Sequence, residues 1–168
     1  MYKDCKSLYS SERQKEFEKV LFNMMEKQHF KEITITALCK EMDAPRKAFY
    51  RYFDTMEDVL NAQIDDALLT SFLHMEGRAE LTKFFEYWKK NKQLLEVLEK
   101  NAMDQKLMDR AFVLMISRET PEGLSGKDMM FAGYISALIT ILILWNRYGM
   151  RQSIEEMAQL TEEIFGKH

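Results

Sequence analysis

Apolar residues in the first third of the chain recur at helical spacing. Phe17, Val20, Leu21, Met24 and Met25 fall at i, i+3, i+4, i+7 and i+8, the pattern of one buried helix face. Ser11 and Gln14 stand ahead of them at capping-box spacing, so a helix is expected from Ser11 to about His29-Phe30. The β-branched run Ile33-Thr34-Ile35-Thr36 reads as a helix start instead of a strand. The Thr34 hydroxyl can accept from the orphan amides of a first turn, and Leu38, Cys39 and Met42 supply the apolar face. Asp43-Ala44-Pro45 is a turn, because Asp tolerates the left-handed conformation and proline at a helix start has no amide to lose. A short third helix, Arg46 to Tyr52, follows. Thr55 and Asp58 then open a longer one on Val59, Leu60, Ile64, Ala67, Leu68 and Phe72.

The remainder repeats the pattern. A junction is expected at His74 to Arg78, with Gly77 in it. Amphipathic stripes follow on Leu81, Phe84, Phe85 and Trp88, on Leu94, Leu95 and Leu98, and on Leu107, Met108, Ala111, Phe112, Leu114 and Met115. Arg118 to Gly126 contains Pro121 and Gly123 and reads as a loop. Ser125 and Asp128 begin an apolar helix to about Tyr148, and Ser153 with Glu156 caps a last helix carrying Ile154, Met157, Leu160, Ile164 and Phe165. The expected fold class is all-α. Residues 1–54 form an N-terminal three-helix helix-turn-helix unit, residues 55–76 a connecting helix, and residues 77–168 a helical regulatory and dimerisation unit.

Composition supports long helices, since only two prolines and six glycines interrupt 168 residues. The net charge of −3 gives the whole chain no attraction for nucleic acid. Local charge changes that picture: Pro45 to Phe53 holds Arg46, Lys47 and Arg51 and no acidic residue. Cys5 and Cys39 lack a CxxC partner or a nearby histidine pair and read as structural thiols; His29, His74 and His168 read as surface or boundary residues. The start of the chain is charged and carries no secretory pattern, so a cytoplasmic location is expected. P-loop, nucleophile-elbow, HExxH and dinucleotide motifs are absent from the sequence. The expectation is a protein that is not an enzyme, with no cofactor and no metal.

Residues 33 to 53 carry the function. Helix, short turn and helix is the plan of a motif whose second helix enters the DNA major groove. With Phe49 buried, Arg46, Lys47, Tyr50 and Arg51 are directed outward. Arg46 and Lys47, at the N-terminal end, are placed to read guanine edges. Thr34, Thr36, Pro45, Tyr50, Arg51 and Tyr52 complete the expected DNA-binding set, the tyrosines and Arg51 holding phosphates.

The run from Phe30 through Thr34, Leu38, Met42 and Pro45 to Phe49-Tyr50-Arg51-Tyr52-Phe53 resembles the DNA-binding signature of the tetracycline-repressor (TetR) family. The likeness spans roughly residues 11 to 65, and its most specific part is the closing aromatic cluster. Asp43 stands where the family usually has a turn glycine, and Pro45 replaces a common serine. Met56 replaces a lysine that touches phosphate, so that contact is not carried over. Trp145-x-x-x-Gly149 followed by Ser153-Ile-Glu-Glu-Met157-Ala is similar to the closing helices of one branch of the family. The resemblance implies a homodimer built on those two helices as a four-helix bundle, bound to a pseudo-palindromic double-stranded operator and released by a ligand.

Met129 to Trp145 has no charged residue and nearly reaches membrane-spanning length. Gly133, Ser136, Ala137 and Thr140 interrupt it, so a helix buried between its own core and a second subunit is expected, with no membrane partner. The expected dimer face is Tyr134, Ala137, Leu138, Ile141, Trp145, Met157, Leu160 and Ile164. Phe84, Tyr87, Trp88, Met103, Met108, Phe112 and Met115 are the expected lining for a small apolar or amphipathic inducer, since such side chains adapt to varied guests. The competing function class is a helical co-regulator that acts through a protein partner without direct specific DNA binding.

Overall fold

The computed structural model describes residues 8–72, 78–116 and 125–165. Of the expected junction at His74 to Arg78, residues 74–77 lie outside the described residues, and so do residues 118–124 of the expected loop from Arg118 to Gly126, Cys5 and His168; Arg78 and Gly126 are themselves helical. The described residues are all-helical, and the chain divides into two compact units, Met1–Asp66 and Ala67–His168.

In the first unit, α1 covers Leu8–Lys27 and begins a turn before Ser11, so Ser11 lies inside the helix instead of capping it. Its stripe buries Phe17, Leu21 and Met25 completely. A single 3-10 turn at Phe30–Glu32 leads to α2, Ile35–Glu41. Thr34 caps α2, its Oγ1 accepting from the Ala37 amide at 3.1 Å. Asp43 takes φ 47° and lets the chain fold back: the Ala44 amide donates to the Cys39 carbonyl at 2.9 Å and the Asp43 amide to Lys40 at 3.2 Å. That is the bonding of a glycine C-cap, made here with an Asp that adopts the left-handed region. The short helix α3, Arg46–Tyr52, starts after Pro45, which sits at its N-cap in extended conformation. Thr55 and Asp58 form reciprocal bonds at the start of α4, Met56–Phe72, with Asp58 N to Thr55 Oγ1 at 3.1 Å and Thr55 N to Asp58 Oδ2 at 3.0 Å. The first unit ends within α4.

The second unit comprises the end of α4, then α5 (Arg78–Lys90), α6 (Lys92–Lys100), α7 (Gln105–Ile116), α8 (Gly126–Arg147) and α9 (Ile154–Phe165). Here α5 packs on α9, and α8 packs on α6 and α7. An aromatic chain runs through the core: Phe72 stacks on Phe84 at 5.6 Å, Phe84 meets Trp88 at 6.4 Å, and Phe85 meets Trp145 edge-on at 5.5 Å. Both expected capping boxes form. Ser125 and Asp128 start α8 with Ser125 N to Asp128 Oδ2 at 2.8 Å; these hydrogen bonds hold the Asp128 carboxyl below its usual range. Ser153 and Glu156 start α9 at 2.7 and 3.1 Å.

By length and composition α8 is apolar enough to cross a membrane. Its inward face, Ile135, Leu138, Ile139, Leu142 and Trp145, is buried in the second unit, while Met130, Gly133, Thr140 and Leu144 are exposed along the other side. One face of α8 is therefore buried against the chain's own core, and the other is left exposed. Gly149, at φ 75°, ends the helix, and the Met150 amide returns to the Trp145 carbonyl at 2.8 Å.

Candidate nucleic-acid interface

Helix α3 is seven residues long, and its two faces follow from residue spacing. Phe49, Tyr52 and Phe53 lie at i, i+3 and i+4 and are buried at 0, 4 and 0 % exposure. Their rings gather around Phe17 of α1, with centroid separations of 5.7 Å to Phe49, 6.1 Å to Tyr52 and 6.0 Å to Phe53. The opposite face carries Arg46, Lys47, Tyr50 and Arg51, all exposed, with Pro45 exposed just ahead and Thr34 and Thr36 exposed at the start of α2. No acidic side chain interrupts this face from Pro45 to Phe53.

Tyr52 is a correction to the expected DNA-facing set. Standing three residues after Phe49, it shares that residue's helix face and packs against Phe17. Tyr50, one residue after Phe49 and so about 100° around the helix, is the exposed tyrosine, at 42 %. Thr34 has a second task, because its oxygen caps α2.

Two side chains of this face are organised with respect to each other. Arg46 Nη2 donates to Tyr50 Oη at 3.0 Å, and the Arg46 guanidinium carbon lies 5.8 Å from the Tyr50 ring centroid. Tyr50 in turn meets the buried Phe49 ring edge-on at 5.4 Å. Beneath this face Cys39 is buried. Burial pushes its thiol up, against the opposing pull of the Arg46 charge, so it stays protonated and behaves as a small apolar residue.

In the second unit, an apolar pocket of about 120 Å³ is lined by Leu69, Phe72, Ala111, Leu114, Met115, Phe131 and Ile135. Of the expected lining only Met115 takes part. Phe84 and Trp88 are fully buried in the aromatic chain, where neighbouring rings fill the space a guest would need. Phe112 is exposed, and Tyr87, Met103 and Met108 are half-buried away from the pocket. Periodicity marks a helix face as apolar without saying whether its neighbour fills the groove, so the gap between α4, α7 and α8 had no signal in the sequence.

The expected dimer face divides as well. Leu138, Trp145 and Met157 are buried within the chain itself and are removed from it; Trp145 packs on Phe85. Leu160 and Ile164 are exposed, and Tyr134, Ala137 and Ile141 are half-buried. Leu144 and Tyr148, also exposed, were not anticipated.

Compared by sequence, the chain matches no family model and no curated protein. Compared by structure, it is similar to a TetR-family transcriptional regulator from Streptomyces coelicolor, at 19 % identity and TM-score 0.51, over 91 % of this chain and 78 % of that one. It is also similar to the dihydroxyacetone kinase operon activator DhaS, at 16 % identity and TM-score 0.55, over 90 % of this chain and 93 % of that one. At these identities the likeness is one of fold. The chain has the all-α fold of a TetR-type transcription regulator.

Proposed function

We propose that the protein is a sequence-specific DNA-binding transcription regulator that binds a pseudo-palindromic operator as a homodimer and acts as a ligand-responsive repressor. The observation that carries this reading is the two-faced helix α3: an aromatic face locked into the core by Phe17, and an exposed basic face of Arg46, Lys47, Tyr50 and Arg51. Arg46 and Lys47 occupy the end of the helix that reaches base edges, while Arg51 and Thr36 flank it for phosphates. Strong salt dependence follows, because a small basic face on an acidic chain binds through counterion release.

Dimerisation is supported by the apolar side chains left exposed on α8, on its C-cap and on α9, namely Leu144, Tyr148, Leu160 and Ile164. Ligand response is supported by the pocket around Ala111 and Phe131. At about 120 Å³ it falls below the usual range for drug-sized ligands and suits a guest near the size of one aromatic ring. A guest that favours one arrangement of the chain over another would change operator affinity by the same factor by which operator changes guest affinity.

The test is selection of bound sequences from random duplex DNA, followed by mobility shifts on the winner and on the region upstream of the protein's own gene. Enrichment of a two-fold symmetric site is the expected result. No enrichment would overturn the reading in favour of a co-regulator working through a protein partner. That second reading is supported by Phe112 and Val113 of α7 and Met129, Met130 and Phe131 of α8, all exposed.

A further inference from the structure

We propose that Tyr50 is a positioning residue for Arg46, so that the tyrosine hydroxyl sets how sharply the arginine discriminates between bases without itself touching one. The inference rests on the DNA-binding reading above and concerns how that surface is specific.

A chain of contacts leads from the core to the guanidinium. Phe49 is fully buried and cannot move without opening the aromatic cluster around Phe17. The Tyr50 ring meets Phe49 edge-on at 5.4 Å with an interplanar angle of 89°, which fixes the ring on an otherwise exposed surface. From that fixed ring the hydroxyl oxygen accepts from Arg46 Nη2 at 3.0 Å, and the ring lies 5.8 Å from the guanidinium carbon. Both residues are on one side of α3 because they are four apart. Arg46 is the first residue of the helix, the end presented to base edges.

The consequence is energetic. An exposed arginine is spread over many rotamers, and a bidentate guanine contact must select one of them. The Tyr50 hydroxyl takes one of the five guanidinium N–H donors, leaving more than the two that guanine O6 and N7 require. Selecting the rotamer in the free protein lowers the ordering cost for the matching base pair. It adds nothing at a mismatched one, where no bidentate contact forms. A tyrosine that only bonded phosphate would affect every sequence alike.

The test measures the affinity of the full chain for the selected operator and for its single-base-pair variants. Four proteins are compared: wild type, Arg46→Ala, Tyr50→Phe and the double variant. Tyr50→Phe keeps the ring and removes only an exposed oxygen, so folding is preserved; circular dichroism checks this. The expected result is a loss of discrimination at one base pair per half-site by a factor of roughly three to ten, and at the same base pair that Arg46→Ala relaxes. In the Arg46→Ala background Tyr50→Phe should change that discrimination no further. An equal loss of affinity for all sequences, or an undiminished effect of Tyr50→Phe without Arg46, would overturn the positioning role while leaving the DNA-binding reading intact. Absence of any selective binding by the wild-type protein would overturn both.

Discussion

Phe17 of α1 and Phe49 of α3 meet edge to face, with ring centroids 5.7 Å apart and planes at 85°. This one contact ties α3 to the longest helix of its unit, and both rings are fully buried. A helix of seven residues is too short to hold itself together in water, so its shape is imposed by the aromatic cluster. Phe49→Ala should therefore cost about 3–5 kcal/mol in urea unfolding, whereas Tyr52→Phe should leave operator affinity within about twofold. A large selective loss from Tyr52→Phe would return that hydroxyl to the DNA face.

Arg46→Ala and Lys47→Ala should each weaken binding to the selected operator by ~1–3 kcal/mol where the residue makes a good base contact. Arg51→Ala should lower affinity for all sequences evenly and flatten the salt dependence. Mobility shifts at two salt concentrations separate the cases. Unchanged affinity in both Arg46→Ala and Lys47→Ala, with folding intact, would remove α3 as the reading element.

Glu18 of α1 is 8 % exposed and close to Asp66 of α4, which is itself 3.6 Å from Lys15. Burial first, and the Asp66 charge second, push the Glu18 carboxyl up from 4.5 to about 7, with Lys15 opposing. The folded unit therefore holds a proton that the unfolded chain releases at lower pH. Stability from this group is fully present below about pH 4.5, falls as pH rises, and is gone above about pH 7. Glu18→Gln should flatten the stability profile across that window and gain up to about 3 kcal/mol at pH 8 relative to wild type. Parallel pH profiles for the two proteins would assign the titration elsewhere.

Leu160 is 49 % exposed on α9, while Leu138 is fully buried on α8. Leu160→Glu should leave the subunit folded and shift the protein from dimer to monomer in sedimentation. Leu138→Glu should unfold the chain, since an unpaired buried charge costs several kcal/mol. A wild-type monomer at micromolar concentration would refute the dimer.

Small aromatic guests should raise the melting temperature through the pocket around Ala111. A guest at a hundredfold over its dissociation constant adds about 2.7 kcal/mol. Ala111→Phe should abolish the shift by filling the space from α7, whereas Phe112→Ala, outside the pocket, should leave it unchanged. A shift that survives Ala111→Phe would place the guest elsewhere.

Much of this molecule is written in local pattern. The spacing of Phe17, Leu21 and Met25, the cap at Thr34, the turn at Asp43, and the boxes at Thr55-Asp58, Ser125-Asp128 and Ser153-Glu156 each depend on residues within a few positions of one another. For that reason they were legible in the chain itself. From the sequence Tyr52 is expected on the DNA face, although helical spacing pairs it with Phe49 and the structure buries it. What the tertiary structure decided was which apolar face meets which. Phe84 and Trp88 became filled core, and the open space fell at Ala111 instead. Leu138 and Trp145 turned inward, while Leu160 and Ile164 stayed outside. Periodicity specifies that a face is apolar; only the packing of distant helices determines whether another side chain fills the space against it.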